Sequence, residues 1–580
     1  MKTIKSNKII IWFCAVFMLT SCNDDLYEIN YPPEYPLQST ADLDRAVKGV
    51  YRYMYAEAWN GGISNDAFMN HTGDDVRGVD NPSALQGDAP YFYLWKNWAT
   101  EENSFSNLYR GIALCNEVID FIEESYSKNE LPFKAPTASE LEKIKKNCDR
   151  VKGEMHFLRA LQYHLLARMF CPPYISADHS NNKTQLLPYK IHLDKTVSGN
   201  KNPKIATVQE IYDLMVTDLI TAKEYLPKSY DAAVHDVSYK EGRSTHWAAA
   251  ALLARIYFYR RDWVDCEKEC TYVIDNGPFT LNGTEPLDAW IKNYGTPNSS
   301  EVIYEFASTR EQGGRVSRWT SQAKNWYNPK NGGRFTGLDG SNNNGAGYWG
   351  KSQWTHVVWS YSGLEYVGWW NVDRQWNNER GTDIVTNYTV LPEALRDKRY
   401  TQLNYRMEAD PTPEQLQGLS PEQIKTMYPD SMYMKQWDFP NPYLYCDKYY
   451  RAPDGEYSKV PYIRLPELLL NRAIIKKKFN VGNADPLKDV NEVRNRAGLE
   501  ALTSLNEDDI HKERMKEMFM EVGDRRFYLQ ALNYDIPVGD RDSRSYSPIK
   551  SPYSANHIPL PLSEITNNDS YKELDLPNQF

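Results

Sequence analysis

Eight of the chain's 16 tryptophans, Trp319, Trp326, Trp349, Trp354, Trp359, Trp369, Trp370 and Trp376, fall between residues 319 and 376. Tyr327, Tyr348, Tyr361 and Tyr366 stand among them. A sugar ring has an apolar face of C–H groups and an equator of hydroxyls. A flat aromatic ring stacks on the face, and Asn, Asp, Gln or Arg side chains hydrogen-bond the equator. Both kinds of residue occur here, and again in a smaller cluster of Asp74, Asp75, Arg77, Trp95, Asn97 and Trp98. The chemistry read from these residues is therefore glycan binding. The stacking candidates are Trp95, Trp98, Trp354, Trp359, Trp369 and Trp370, and the hydroxyl partners are Asp75, Arg77, Asn97 and Arg374. Most of the rings are expected to brace the interior, because large aromatics bury well, with a few left as a platform.

Other chemistries find little support. Gly345 to Ser352 spells both G-x-x-x-x-G-K-[ST] and G-x-G-x-x-G, but a Gly- and Asn-rich loop precedes it where a buried strand is needed. Tyr348 and Trp349 would also crowd a phosphate cradle. Asp339 to Asn343 only faintly resembles a calcium loop and lacks its acidic ligands. There is no H-E-x-x-H pair and no G-x-S-x-G elbow. No metal, cofactor or catalytic group is expected. A glycosidase carboxylate pair stays open as an alternative, since its partners would meet only in the fold. His156 and His164 lie on a core-rich helix and are read as packing residues.

The elements that must position these residues are mostly helices. Apolar spacing predicts helices over 42–57, 105–124, 141–170 and 208–226, the third stopped by Cys171-Pro172-Pro173. Residues 245–260 and 263–274 form a hairpin whose Ala248 to Ala251 allow close helix approach, a layout similar to a tetratricopeptide unit. Helical spacing fades over 275–460, then returns at 465–478, 485–497 and 510–532. The expected organisation is a leader (1–21), an N-terminal helical region (22–230), a hairpin and its connection (231–310), an irregular Trp-rich insert (311–460) and a C-terminal helical region (461–580).

The N-terminus supplies an address. Lys2, Lys5 and Lys8 precede an apolar stretch, Ile9 to Leu19, that is too short to span a bilayer. Leu19-Thr20-Ser21-Cys22 resembles a bacterial lipoprotein cleavage box, which makes Cys22 the lipidated residue. Asn23-Asp24-Asp25 resembles the surface-export signal of Bacteroidetes lipoproteins. The formal net charge of −10 argues against nucleic acid as a partner and against attraction to anionic lipid. Acyl chains on Cys22 would then supply the membrane anchor. Cys115, Cys148, Cys171, Cys266, Cys270 and Cys446 are too scattered for a disulfide scaffold, and Cys266 and Cys270 read as small core residues.

Several segments together resemble the SusD/RagB family of Bacteroidetes outer-membrane nutrient-binding lipoproteins. They are Phe157 to Arg168, Ile463 to Leu470, the run Val490-Asn491-Glu492-Val493-Arg494-Asn495-Arg496-Ala497-Gly498-Leu499, and the set Glu513, Arg514, Glu517, Glu521, Gly523 and Arg525. Ile558-Pro559-Leu560-Pro561 with Glu564 resembles the closing segment. The chain departs at Val522, which stands before Gly523 where the family usually has Glu, and at Cys171-Pro172 after the first helix. These motifs read as scaffold, with arginines and glutamates tying helices together, so no binding residue transfers by motif. The resemblance implies a mostly α, SusD-like fold, with tetratricopeptide-like hairpins packed against an irregular ligand-binding face. It also implies a non-catalytic, cell-surface lipoprotein that captures glycans, or in some members peptides. Its partner would be a SusC-like TonB-dependent transporter in the outer membrane.

Overall fold

The computed structural model describes residues 37–55, 72–78, 101–193, 202–309 (apart from 241, 284 and 296–298), 357–377, 382–407, 443–446, 457–540 and 547–572 (apart from 555), with isolated residues beyond these. Trp95, Asn97, Trp98 and Trp354 lie outside the described residues, as does Cys22.

The helices follow the apolar spacing closely. They are α1 (Thr40–Tyr55), α2 (Glu101–Ser127), α3 (Ala138–Phe170), α4 (Val208–Tyr225), α5 (His246–Arg260) and α6 (Trp263–Asn276). Each packs on its sequence neighbour, so the N-terminal half is a row of helices. Local chemistry sets the ends. The Thr207 hydroxyl accepts from Glu210 N and the Glu210 carboxylate accepts from Thr207 N, a reciprocal cap at the start of α4. Thr245 caps α5 from one side only, its hydroxyl accepting from Ala248 N. From Arg150 to Phe170, α3 is buried on every side, which marks it as the central helix. Ala248 to Ala251 are fully buried in α5, where their small size admits the neighbouring helices. Cys266 and Cys270 pack in the same core, and all six described thiols are buried and free.

Residues 76–78 and the stretch 302–464 contain strands that the sequence pattern does not mark. β1 (Val76–Gly78) is followed by β2 (Val302–Thr309), β3 (Val357–Trp359), β4 (Trp370–Asn377), β5 (Thr382–Val390) and β6 (Tyr457–Arg464). A short helix, α7 (Tyr361–Tyr366), joins β3 to β4. The strands form antiparallel pairs, β1 with β3, β2 with β6, and β4 with β5. The C-terminal helices are α8 (Leu465–Phe479), α9 (Pro486–Arg496), α10 (Glu507–Met518) and α11 (Asp524–Ala531). The expected single helix over 510–532 is broken in two. Met520, Val522 and Gly523 adopt left-handed backbone with φ of 60°, 45° and 64°, and a β-branched valine enters that region only when its surroundings hold it there. Lys448 Nζ donates to Glu517 O at 2.7 Å and Phe519 O at 3.1 Å, and Arg168 donates to Val522 O, so the break is clamped from both sides.

The family motifs converge on one buried charge network. Arg464 Nη1 lies 2.5 Å from Glu301 Oε1, and Arg464 Nε donates to Glu521 Oε2 at 2.8 Å. Arg496 bridges Glu301 and Glu517, and Arg399 Nη1 donates to Glu513 Oε1 at 2.7 Å. Arg255 grips Glu467 through two bonds of 2.8 and 2.6 Å. Burial alone would push the Glu517 carboxyl up, but Arg496, Arg464 and Arg399 hold it far below the ordinary carboxylate range. In the N-terminal half, His156 Nδ1 and Arg159 share the buried Asp218 carboxylate, so His156 packs as expected.

Candidate functional site

Pairing of β1 with β3 brings the described members of the two clusters read from sequence together. Val76 lies opposite Trp359 and Arg77 opposite Val358. Behind this ribbon, α7 starts at Ser360, whose hydroxyl accepts from Gly363 N and donates to Asp74 O at 2.6 Å. Asp540, arriving from the C-terminal region, accepts from Tyr361 N and, at 2.9 Å, from Ser362 N. Its carboxylate lies 3.9 Å from both Arg77 Nη1 and Arg374 Nη1. Asp75, Arg77, Trp359, Trp369, Trp370 and Arg374 are thus neighbours around α7.

Three of the expected stacking rings are interior braces instead. Trp359, Trp369 and Trp370 are 1%, 0% and 1% exposed. Trp359 stacks on Phe519 with centroids 3.6 Å apart and donates from Nε1 to Asn404 Oδ1 at 2.8 Å. Trp369 meets Trp359 and Tyr400 edge to face and donates to Asp397 Oδ2 at 3.3 Å. Trp370 donates to Tyr400 Oη at 2.9 Å. With both faces covered and each N–H spent on a protein acceptor, none of the three offers a surface to a sugar. The reason is local: these rings pack with Val358, Tyr361, Leu364 and Val367 to fill the interior of the short β3–α7–β4 unit.

Asp75 and Arg77 are likewise buried, and neither serves as an open hydroxyl partner. The Arg77 guanidinium lies over the Tyr361 ring, 4.5 Å from its centroid. Arg374 differs. Its side chain is 26% exposed on β4, where it pairs with Glu365. It is the one described candidate that reaches solvent.

Two side chains that sequence reasoning passed over shape the same face. Tyr388 on β5 is half-buried and stacks on Trp370 at 4.6 Å, so an interior ring backs a ring nearer the surface. Asp540 ties β1 and β4 to α7 from far along the chain. Neither carries a local signal. Tyr388 would need the β4–β5 register, and Asp540 a contact across about 180 residues.

The described residues form a mostly helical scaffold that carries short antiparallel strand pairs. Residues 30–258 match the SusD-like family described as starch-binding and associating with the outer membrane, and residues 287–530 match the SusD family. The chain belongs to the SusD/RagB family. It is 23% identical over 246 residues to SusD-like protein P2 of Formosa agariphila, covering 42% of this chain and 41% of that one. The chain thus spans less than half the length of that curated relative. A SusD superfamily protein from Bacteroides thetaiotaomicron superposes with a TM-score of 0.64 at 18% identity, covering 92% of this chain and 98% of that one. Surface glycan-binding protein A from the same organism gives 0.61 at 18% identity, covering 92% and 98%. At these identities the superpositions establish the fold.

Proposed function

We propose that this protein is a non-catalytic glycan-capture lipoprotein of the cell surface, anchored through Cys22. It holds oligosaccharides or polysaccharides and delivers them to a SusC-like TonB-dependent transporter in the outer membrane. The observation that carries this reading is the family match over both halves of the chain, joined to a fold shared with proteins named for surface glycan binding. No helix among the described residues is long and apolar enough to cross a membrane, which is consistent with attachment through lipid.

The binding residues proposed are Trp95, Trp98 and Trp354 for stacking, with Asn97 and Arg374 for hydroxyls and Tyr388 as a further ring. Trp359, Trp369 and Trp370 support the face from within.

The test is affinity electrophoresis of the soluble chain starting after Cys22, in gels holding plant, fungal and host polysaccharides, laminarin among them. Retardation by at least one, lost in Trp95→Ala, Trp98→Ala or Trp354→Ala, is expected. Each such loss is expected to cost ~1–3 kcal/mol, by analogy with base stacking. Release of reducing sugar from a retarding glycan would replace this reading with a hydrolase. Binding confined to peptides would move the protein to the peptide-capturing branch of the family.

A further inference from the structure

Residues 72–78 form a strap laid across two distant parts of the fold. Arg525 on α11 grips Asp74 with two bonds of 2.8 and 3.0 Å, and Arg526 Nη1 donates to Thr72 O at 3.2 Å. On the other side Ser360 donates through its hydroxyl to Asp74 O and, at 2.8 Å, through its backbone N–H to Asp75 O. The strap continues into β1, which holds Arg77 against Tyr361.

Asp75 sits at the centre of this junction and is buried, with no hydrogen-bond partner for Oδ1 among the described residues. Its carboxyl lines a small cavity shared with Gly73, Met518, Met520, Gly523 and Arg525. The fit is tight. A Cβ on Gly73 would collide with Asp75 Oδ1, and one on Gly363 would come within 3.3 Å of Asp75 Cα. The cavity borders the left-handed break at 520–523, so it is walled partly by backbone held in an unfavourable conformation.

The surrounding charges are already matched. Asp74 takes Arg525, and Asp524 takes Arg514 through bonds of 2.8 and 2.6 Å. Arg526 is directed at Thr72 O and Asn556 Oδ1. Arg77, on the strap's own strand, lies beside Asp540. An ionised Asp75 would be a further carboxylate with no described donor on Oδ1 and two acidic neighbours, Asp74 and Asp524, opposed by Arg525, which is already paired with Asp74. A buried, uncompensated charge of this kind is relieved by taking a proton or by moving into water.

We propose that Asp75 is a proton-carrying latch: the strap 72–78 docks beneath α7 and α11 with the Asp75 carboxyl neutral, and losing that proton loosens the strap and the strand carrying Arg77. Burial, then the charge of Asp74, pushes this carboxyl up from 3.8 to about 7. The docked strap therefore holds a proton that an undocked one releases near the ordinary value. Docking is strongest in acid, weakens as pH rises towards 7, and is weakest, and level, above it. The inference does not depend on the glycan reading.

Hydrogen exchange of the soluble chain starting after Cys22, followed by mass spectrometry of peptides covering 72–78, tests it. After correction for intrinsic exchange, the opening constant is expected to rise about tenfold per pH unit between about 5 and 7 and to level off above 7. Asp75→Asn should flatten that profile and leave the strap better protected at pH 8 than in the wild type. A wild-type opening constant unchanged between pH 5 and 8 overturns the proposal, and that measurement stands even if Asp75→Asn fails to fold. An Asp75→Asn chain that folds and keeps the wild-type slope overturns it as well.

Discussion

The C-terminal charge network and the tryptophan cluster around α7 are both interior, yet the first is held by paired charges and the second by ring packing. Arg464, Arg496 and Glu517 lie in family motifs and were read as helix ties, and each is buried and paired. Trp359, Trp369 and Trp370 stand in a segment whose aromatic content suggests ligand platforms, and each is a brace. Charges at fixed spacing report structure, because a buried charge must find a partner and its partner is constrained by the fold. Aromatic richness reports only bulk. A tryptophan is as ready to fill a gap under a loop as to meet a sugar, and composition does not separate the two.

The sharpest test of the network is removal of one cation. Arg464→Ala is expected to cost about 3–5 kcal/mol in urea unfolding, because Glu301 and Glu521 would each lose a partner while staying buried. A loss below about 1 kcal/mol would place the network with weak surface pairs and break the comparison. The same network sets an acid limit. Burial raises the Glu301, Glu467 and Glu517 carboxyls, but the arginines outweigh it and hold all three below their ordinary 4.5. Their stabilisation is complete above about pH 4.5 and is lost as pH falls through the lowered values. Melting temperature is therefore expected to drop steeply below pH 4.5, opposite in sign to the Asp75 effect.

On the aromatic side, Trp359→Ala is expected to cost about 3–5 kcal/mol of stability, as truncation of a buried ring does. Trp359→Phe, which keeps a ring against Phe519 and loses the bond to Asn404, should cost less. A Trp359→Ala chain with wild-type melting temperature and lost glycan binding would restore Trp359 as a platform residue.

Much of the scaffold was legible because helices announce themselves locally. The 3.6-residue spacing of α2 to α6 and the stop at Cys171 lie within a few residues of what they determine. The break at 519–523 was not legible in that way. Its apolar spacing runs on through Met515, Met518 and Phe519, and only the clamps from Lys448 and Arg168, far away in sequence, turn the chain there. The short strands of 76–78 and 302–464 escaped for a related reason, since β1 and β3 pair across about 280 residues with three residues each. Of the candidate site, the meeting of Asp75 and Arg77 with the tryptophan segment depends on that same pairing. Burial of each ring depends on Asn404, Asp397 and Tyr400, which no spacing rule links to Trp359, Trp369 or Trp370.

The smallest expected effect on stability falls on Arg374, and it separates the two roles most cleanly. Its guanidinium is partly exposed, pairs with a partly exposed Glu365, and lies 3.9 Å from Asp540. Arg374→Ala should therefore cost less than about 1 kcal/mol in unfolding, as exposed ion pairs do. A hydrogen bond from a charged donor to a sugar hydroxyl contributes about 1.5–3 kcal/mol, so the same variant is expected to weaken glycan binding by about tenfold or more. Titration of wild type and variant with a retarding glycan, beside their urea curves, measures both quantities. Lost affinity at unchanged stability would make Arg374 the first described residue to act on the ligand and not on the fold. Unchanged affinity would remove Arg374 from the site and leave ligand contact to Trp95, Trp98, Trp354, Asn97 and Tyr388.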